Sequence, residues 1–136
     1  MAARNVIFGT LLALGTTSIA QANMKGSFFI PELPVNAVSA TEFEVLEGPS
    51  EGAKTYWCAA AFYATFELGR ETGRIYLTEP FGPAQTAGNT RGVTFSLTAP
   101  AQTSNPVTLS IEDAGATYSI GHAIQFCRDS DLEADR

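Results

Sequence analysis

The sequence predicts an α+β fold in which one largely buried helix packs on an antiparallel sheet of four or five strands, with a Cys58–Cys127 bridge. Three observations predict it. A single long helical segment, about Glu51 to Leu68, has almost no polar face; several short segments with period-2 alternation surround it; and the chain holds two cysteines, one in the helix and one near the end.

The elements follow in order. Residues 1–22 read as a secretory signal: Arg4 in a short head, an apolar run from Val6 to Leu14, then Ala20-Gln21-Ala22 before Asn23. The run is too short to span a bilayer. A periplasmic or secreted protein beginning at Asn23 is therefore expected, with no membrane anchor after cleavage. Residues 23–40 hold Phe28-Phe29-Ile30 among Gly26, Pro31 and Pro34, the composition of an extended arm lying across the core. Thr41 to Leu46 alternates Phe43 and Val45 with Glu42 and Glu44, a half-buried strand with charge on its outer face, and Gly48-Pro49 ends it.

The helix has Ser50 placed to cap its start and Gly69 placed to close it. Its run from Tyr56 through Leu68 leaves no polar stripe, so it needs cover on most sides; Trp57, Phe62 and Phe66 supply bulk and the alanines at 59–61 permit close approach. Arg74–Thr78, Gly92–Thr98 and Pro106–Glu112 read as strands, with a short last one at Tyr118–Ile120. Residues 119–128 suit either a strand or a helix, and a short helix capped near Ser119 is favoured. Asp129–Arg136 reads as a frayed acidic tail.

Setting aside residues 1–22 of the 136 leaves 114, one domain's length, able to bury roughly 65% of the surface of its unfolded chain. That part carries seven Lys or Arg (eight without Arg4) against fourteen Asp or Glu, a formal charge of −7 with no basic cluster. Nucleic acid and anionic lipid are thereby disfavoured as partners, since both require a positive face. An even cysteine count in an exported chain reads as a disulfide, and two cysteines admit one pairing. Closing a loop of about 70 residues stabilises a fold by roughly 4 kcal/mol on the chain-entropy model.

No arrangement of residues reaches catalytic specificity. His122 is the sole histidine, with no nucleophile elbow near it. Asp129, Asp131 and Glu133 resemble the opening of a calcium loop, yet Ala134 stands where the turn glycine belongs. One histidine and two bridged cysteines cannot supply three metal ligands, so no metal and no cofactor are expected. Glu79 to Thr90 reads as a long loop displaying Phe81 on a Pro/Gly frame, and loops of that length are often functional.

The Tyr56-Trp57-Cys58 helix, the Arg74-Ile75-Tyr76-Leu77 strand, the Gly82-Pro83 turn and the closing Gly121-His122-Ala123-Ile124-Gln125-Phe126-Cys127 run, after the signal, resemble small uncharacterised exported proteins of alphaproteobacteria. That resemblance covers most of the chain after residue 22 and implies no activity. The order of one strand, one long helix and consecutive antiparallel strands also resembles the cystatin-like arrangement, a likeness of fold that does not fix function. The leading functional expectation is a non-catalytic exported binding module with a periplasmic or extracellular protein partner, contacted through Phe81, Phe29, Trp57 or His122. Two rivals stand beside it: a small hydrolase or isomerase pairing His122 with Glu112 or Asp113, and a homodimeric structural protein whose apolar helix is completed by a second copy.

Overall fold

A computed structural model of the chain describes residues 31–49 and 52–128. The signal-like segment, Phe29, Ser50 and the acidic tail lie outside the described residues. The chain runs β1 (Val35–Ala37), β2 (Glu42–Leu46), α1 (Ala53–Phe62), a π-helical turn (Tyr63–Glu67), β3 (Arg74–Pro83), β4 (Arg91–Ser96), β5 (Thr117–Ser119), α2 (Ile120–Ala123) and a 3₁₀ turn (Ile124–Cys127). The strands form one antiparallel sheet in the order β1-β2-β4-β3-β5. Two strands, not one, precede the helix, and β4 separates β2 from β3, so the strands after the helix are not laid down consecutively beside the strand before it.

One face of the sheet carries Phe43, Val45, Ile75, Leu77, Val93 and Phe95, all wholly buried, and α1 closes over them with Tyr56, Trp57 and Ala59–Ala61. Trp57 is the hub: its ring meets Phe95 edge-on at 5.0 Å and Tyr118 at 4.7 Å between centroids, and its indole N–H donates to Ser110 O at 2.9 Å. A buried indole needs such a partner. Gly52 stands at the N-terminal cap of α1, with no side-chain cap. At the other end Gly69 takes φ +67°, and the N–H of Arg70 donates back to Ala64 O at 2.8 Å, a glycine-centred stop. Phe66, expected as core bulk, is instead half exposed on the π turn.

The Cys58–Cys127 disulfide is present, with its Cα atoms 4.9 Å apart and both residues fully buried. It pins the end of the chain onto α1. The ambiguous stretch before it is helical, and Ser119 Oγ accepts the N–H of His122 at 3.0 Å as its cap.

Three expectations need correction. Pro106–Glu112 is not a strand, and Val107 stands fully in solvent. Its alternation matches a strand, but β5 takes the edge of β3 at Arg74–Tyr76 and residues 115–116 bond Leu77, so this segment meets β3 through the single bond from Phe81 N–H to Ile111 O. Second, β3 extends through Pro83, with register shifts between Leu77 and Gly82 that accommodate Pro80. The expected loop of 79–90 thus shrinks to 84–90. Third, Glu44 is not on a wet face: it is 2% exposed. Thr94 and Ser96, on the same side of the sheet, are 3% exposed. Residues 84–90 fold back over Glu44, whose Oε2 accepts the N–H of Gln85 at 2.9 Å while Oε1 accepts the N–H of Thr86 at 2.9 Å and its hydroxyl.

Candidate functional site

A surface groove of about 280 Å³ lies where the chain leading into β1 faces the end of the helix. One wall is Pro31, Leu33 and Val35, alternate residues of an extended segment. The other is Ala59, Phe62, Tyr63 and Glu67, one face of α1 continued into the π turn. The N–H of Leu68 donates to Tyr63 O at 3.1 Å, five residues back, the widened bond that defines such a turn. π turns of this kind occur frequently at functional sites.

The groove's lining is mixed, with Leu33, Val35, Ala59 and Phe62 beside the polar groups of Tyr63 and Glu67. Tyr63 reaches inward to Phe43, with 4.8 Å between centroids, so the base is continuous with the core. Phe62 packs on Phe66 at 4.5 Å, and Phe66 is 50% exposed, placing a pair of aromatic rings at the mouth. Glu67 lines the rim and is exposed, as is Glu32 between the two wall residues Pro31 and Leu33. The arrangement suits an apolar guest carrying a positive charge. The ionisable side chains among its described lining residues are Tyr63 and Glu67.

The residues singled out from the sequence do not converge on this groove. Phe81 is half-buried on β3, edge-on to Tyr56 at 5.8 Å and beneath the Arg91 guanidinium at 4.2 Å, so it is less displayed than a loop position implies. Trp57 is fully buried in the core. Phe29 lies outside the described residues, two positions before the wall residue Pro31.

His122 is exposed on α2, and its ring partners are aromatic: Tyr118 at 5.2 Å and Phe126 at 5.3 Å between centroids. Burial raises the Tyr118 hydroxyl above the ordinary phenol value, which keeps it protonated near neutrality. Asp113 is occupied elsewhere, accepting the Ser104 hydroxyl at 2.8 Å, and Glu112 is exposed on the irregular 106–116 segment. Among the described residues neither carboxylate bonds the imidazole.

Among the described residues there is no group of three or more His, Cys, Asp or Glu able to hold a metal, and no helix long and apolar enough to cross a membrane. Sequence reasoning missed the groove. Its one legible signal was the alternation of Pro31, Leu33 and Val35, which read as an arm because two prolines interrupt the strand pattern. No protein-family model, curated protein or solved structure matches the chain.

Proposed function

We propose that this chain is an exported, non-catalytic interaction module whose contact surface is the groove between the β1 arm and the π turn, and whose partner is a periplasmic or extracellular protein. The observation that carries the reading is the half-exposed Phe66, packed on the groove-lining Phe62 beside a concavity that also holds Glu67. Concave surfaces that combine apolar lining with a few polar groups are where partners bind. Export is supported by the order of charge, apolar run and small residues in 1–22 and by a buried disulfide, a bond that persists in oxidising compartments. A hydrolase built on His122 draws less support, because aromatic rings rather than a carboxylate surround the imidazole.

A photo-crosslinking residue placed at position 66, and separately at position 107, tests the reading in an exporting bacterial host. Val107 is as exposed as a side chain can be but lies on the irregular 106–116 segment. Discrete adducts at 66 that are missing at 107 are expected. Equal adducts at both positions, or none at 66, overturn the proposal, as does a hydrolytic or isomerising turnover that disappears in His122→Ala.

A further inference from the structure

The backbone of β1 says what kind of partner the groove takes. Strand β1 is the edge of the sheet, and its register with β2 pairs Val35 with Val45, Asn36 with Glu44 and Ala37 with Phe43. The bonds flanking that register are Leu46 N–H to Pro34 O at 2.9 Å and Val38 N–H to Glu42 O at 2.8 Å. In an antiparallel ladder the bonded pairs alternate, so positions 34, 36 and 38 face β2, and Val35 and Ala37 turn their N–H and C=O groups outward. Phe43 and Val45 spend their own groups on β4, as the Leu97 N–H to Thr41 O bond at 2.9 Å requires. Among the described residues the outer edge thus presents two donors and two acceptors. Ala37 is exposed, and Val35, which shares that edge, also lines the groove.

We infer that this edge accepts an extended segment of a partner protein as a sixth strand, which bonds to Val35 and Ala37 and sets alternate apolar side chains over the groove. The inference rests on the interaction-module reading and deepens it. In a paired strand, the residue opposite Val35 points to the same side of the sheet as Val35, which is the groove side. The residue beside it points to the other side, where Asn36 donates to the Thr86 hydroxyl at 3.0 Å, a polar surface. The recognised pattern is therefore apolar, polar, apolar. A basic residue at the end nearest the π turn complements Glu67 and Glu32, on a chain whose formal charge is −6.

The shortness of β1 favours a guest strand over runaway association. Strand β1 spans three residues, and the next outward position, Ser39, already donates its N–H to Glu42 O at 3.0 Å, so outward pairing is confined to Val35 and Ala37. Strand addition of this kind draws affinity from main-chain bonds and specificity from side-chain pockets.

Ala37→Pro provides the test, because it removes one outward N–H while leaving every bond to β2 in place. The probe is a synthetic peptide, acetyl-Val-Thr-Val-Thr-Val-Lys-amide, whose lysine falls at the Val35 end on antiparallel addition, titrated into the oxidised full chain with binding followed by backbone amide NMR. Shifts centred on Val35, Ala37 and Tyr63 are expected, with about fivefold weaker binding for Ala37→Pro from loss of one bond. Glu67→Lys should weaken the lysine peptide and favour one with glutamate in place of that lysine. Shifts centred elsewhere, or unchanged affinity in Ala37→Pro, overturn the inference. Two other outcomes also overturn it: a dimer that Ala37→Pro dissolves, which assigns the edge to a second copy, and tighter peptide binding in Phe29→Ala, which assigns it to the chain's own arm. If position-66 adducts persist while Ala37→Pro changes nothing, the strand geometry fails and the interaction-module reading survives.

Discussion

Thr86 donates twice to one oxygen of Glu44, through its backbone N–H at 2.9 Å and through its hydroxyl, while Gln85 N–H holds the other oxygen at 2.9 Å. A carboxylate that is 2% exposed thereby fastens residues 84–90 onto the outer face of the sheet. Gln85 Nε2 extends the network to the Thr94 hydroxyl at 2.7 Å, and Asn36 joins it to β1 through Thr86. Glu44→Gln places an amide NH₂ against backbone donors that have no other acceptor in the network. A loss of about 2 kcal/mol is expected, read as a lower urea midpoint at unchanged slope.

The same carboxylate gives stability a definite pH dependence. Burial by itself raises the Glu44 pKa, but the hydrogen bonds from the Thr86 hydroxyl and from the Gln85 and Thr86 amides outweigh it and hold the group below its ordinary value of 4.5. A carboxyl depressed in the folded state contributes stability that is fully present above the unfolded value and is lost as pH falls through the folded one. Urea midpoints measured from pH 6 downward should decline below about pH 4.5 in the parent protein. The decline should be shallower in Glu44→Gln, and identical pH profiles for the two proteins would contradict this role for Glu44.

Gly92 lies directly opposite this network. A Cβ at Gly92 would stand 3.0 Å from both Glu44 Cγ and Val45 O. The first of these contacts can give and the second, backbone of the interior strand β2, cannot easily do so. Gly92→Ala is expected to cost about 1–2 kcal/mol by overpacking, measured by thermal or urea unfolding. Glu44→Ala in the same chain should recover only part of that loss, because the Val45 carbonyl remains.

The disulfide joins α1 to the 3₁₀ turn that ends the described chain, with both cysteines fully buried. Cys58→Ala together with Cys127→Ala should lower stability by about 2–5 kcal/mol. The loss should fall first on residues 118–127, because their contact with α1 depends on that tie, and hydrogen exchange there should accelerate before the Phe43–Phe95 centre opens.

Much of this architecture was legible because burial obeys periodicity. Phe43 and Val45, Val93 and Phe95, and Ile75 and Leu77 all point to the helix as their alternation requires. A lone cysteine pair left one bridge to draw. What alternation cannot express is what covers the second face of a sheet. Glu42 and Glu44 read alike, yet Glu44 is sealed by a loop beginning forty residues later in the chain. The groove was hidden for a related reason: a π turn is a shift of one residue in hydrogen bonding, and no residue type from Tyr63 to Glu67 announces it.

The segment Pro106–Glu112 separates pattern from partner most sharply. Val107, Leu109 and Ile111 alternate like a strand, but a strand needs a free edge, and that of β3 is filled by β5 at Arg74–Tyr76 and by residues 115–116 at Leu77, which leaves this segment one bond to it. Val107 consequently faces solvent, while Ser110 O is claimed by the Trp57 indole at 2.9 Å and Ile111 O by the Phe81 N–H at 2.9 Å. Val107→Ser should therefore change stability by less than about 0.5 kcal/mol. Val93→Ser, the corresponding exchange on a strand that did find partners, removes a fully buried side chain and leaves a hydroxyl in the core, at a cost of about 2–4 kcal/mol. Urea unfolding of the two variants side by side decides the point. A loss for Val107→Ser approaching that of Val93→Ser would mean that residues 106–112 do pair as a strand in solution.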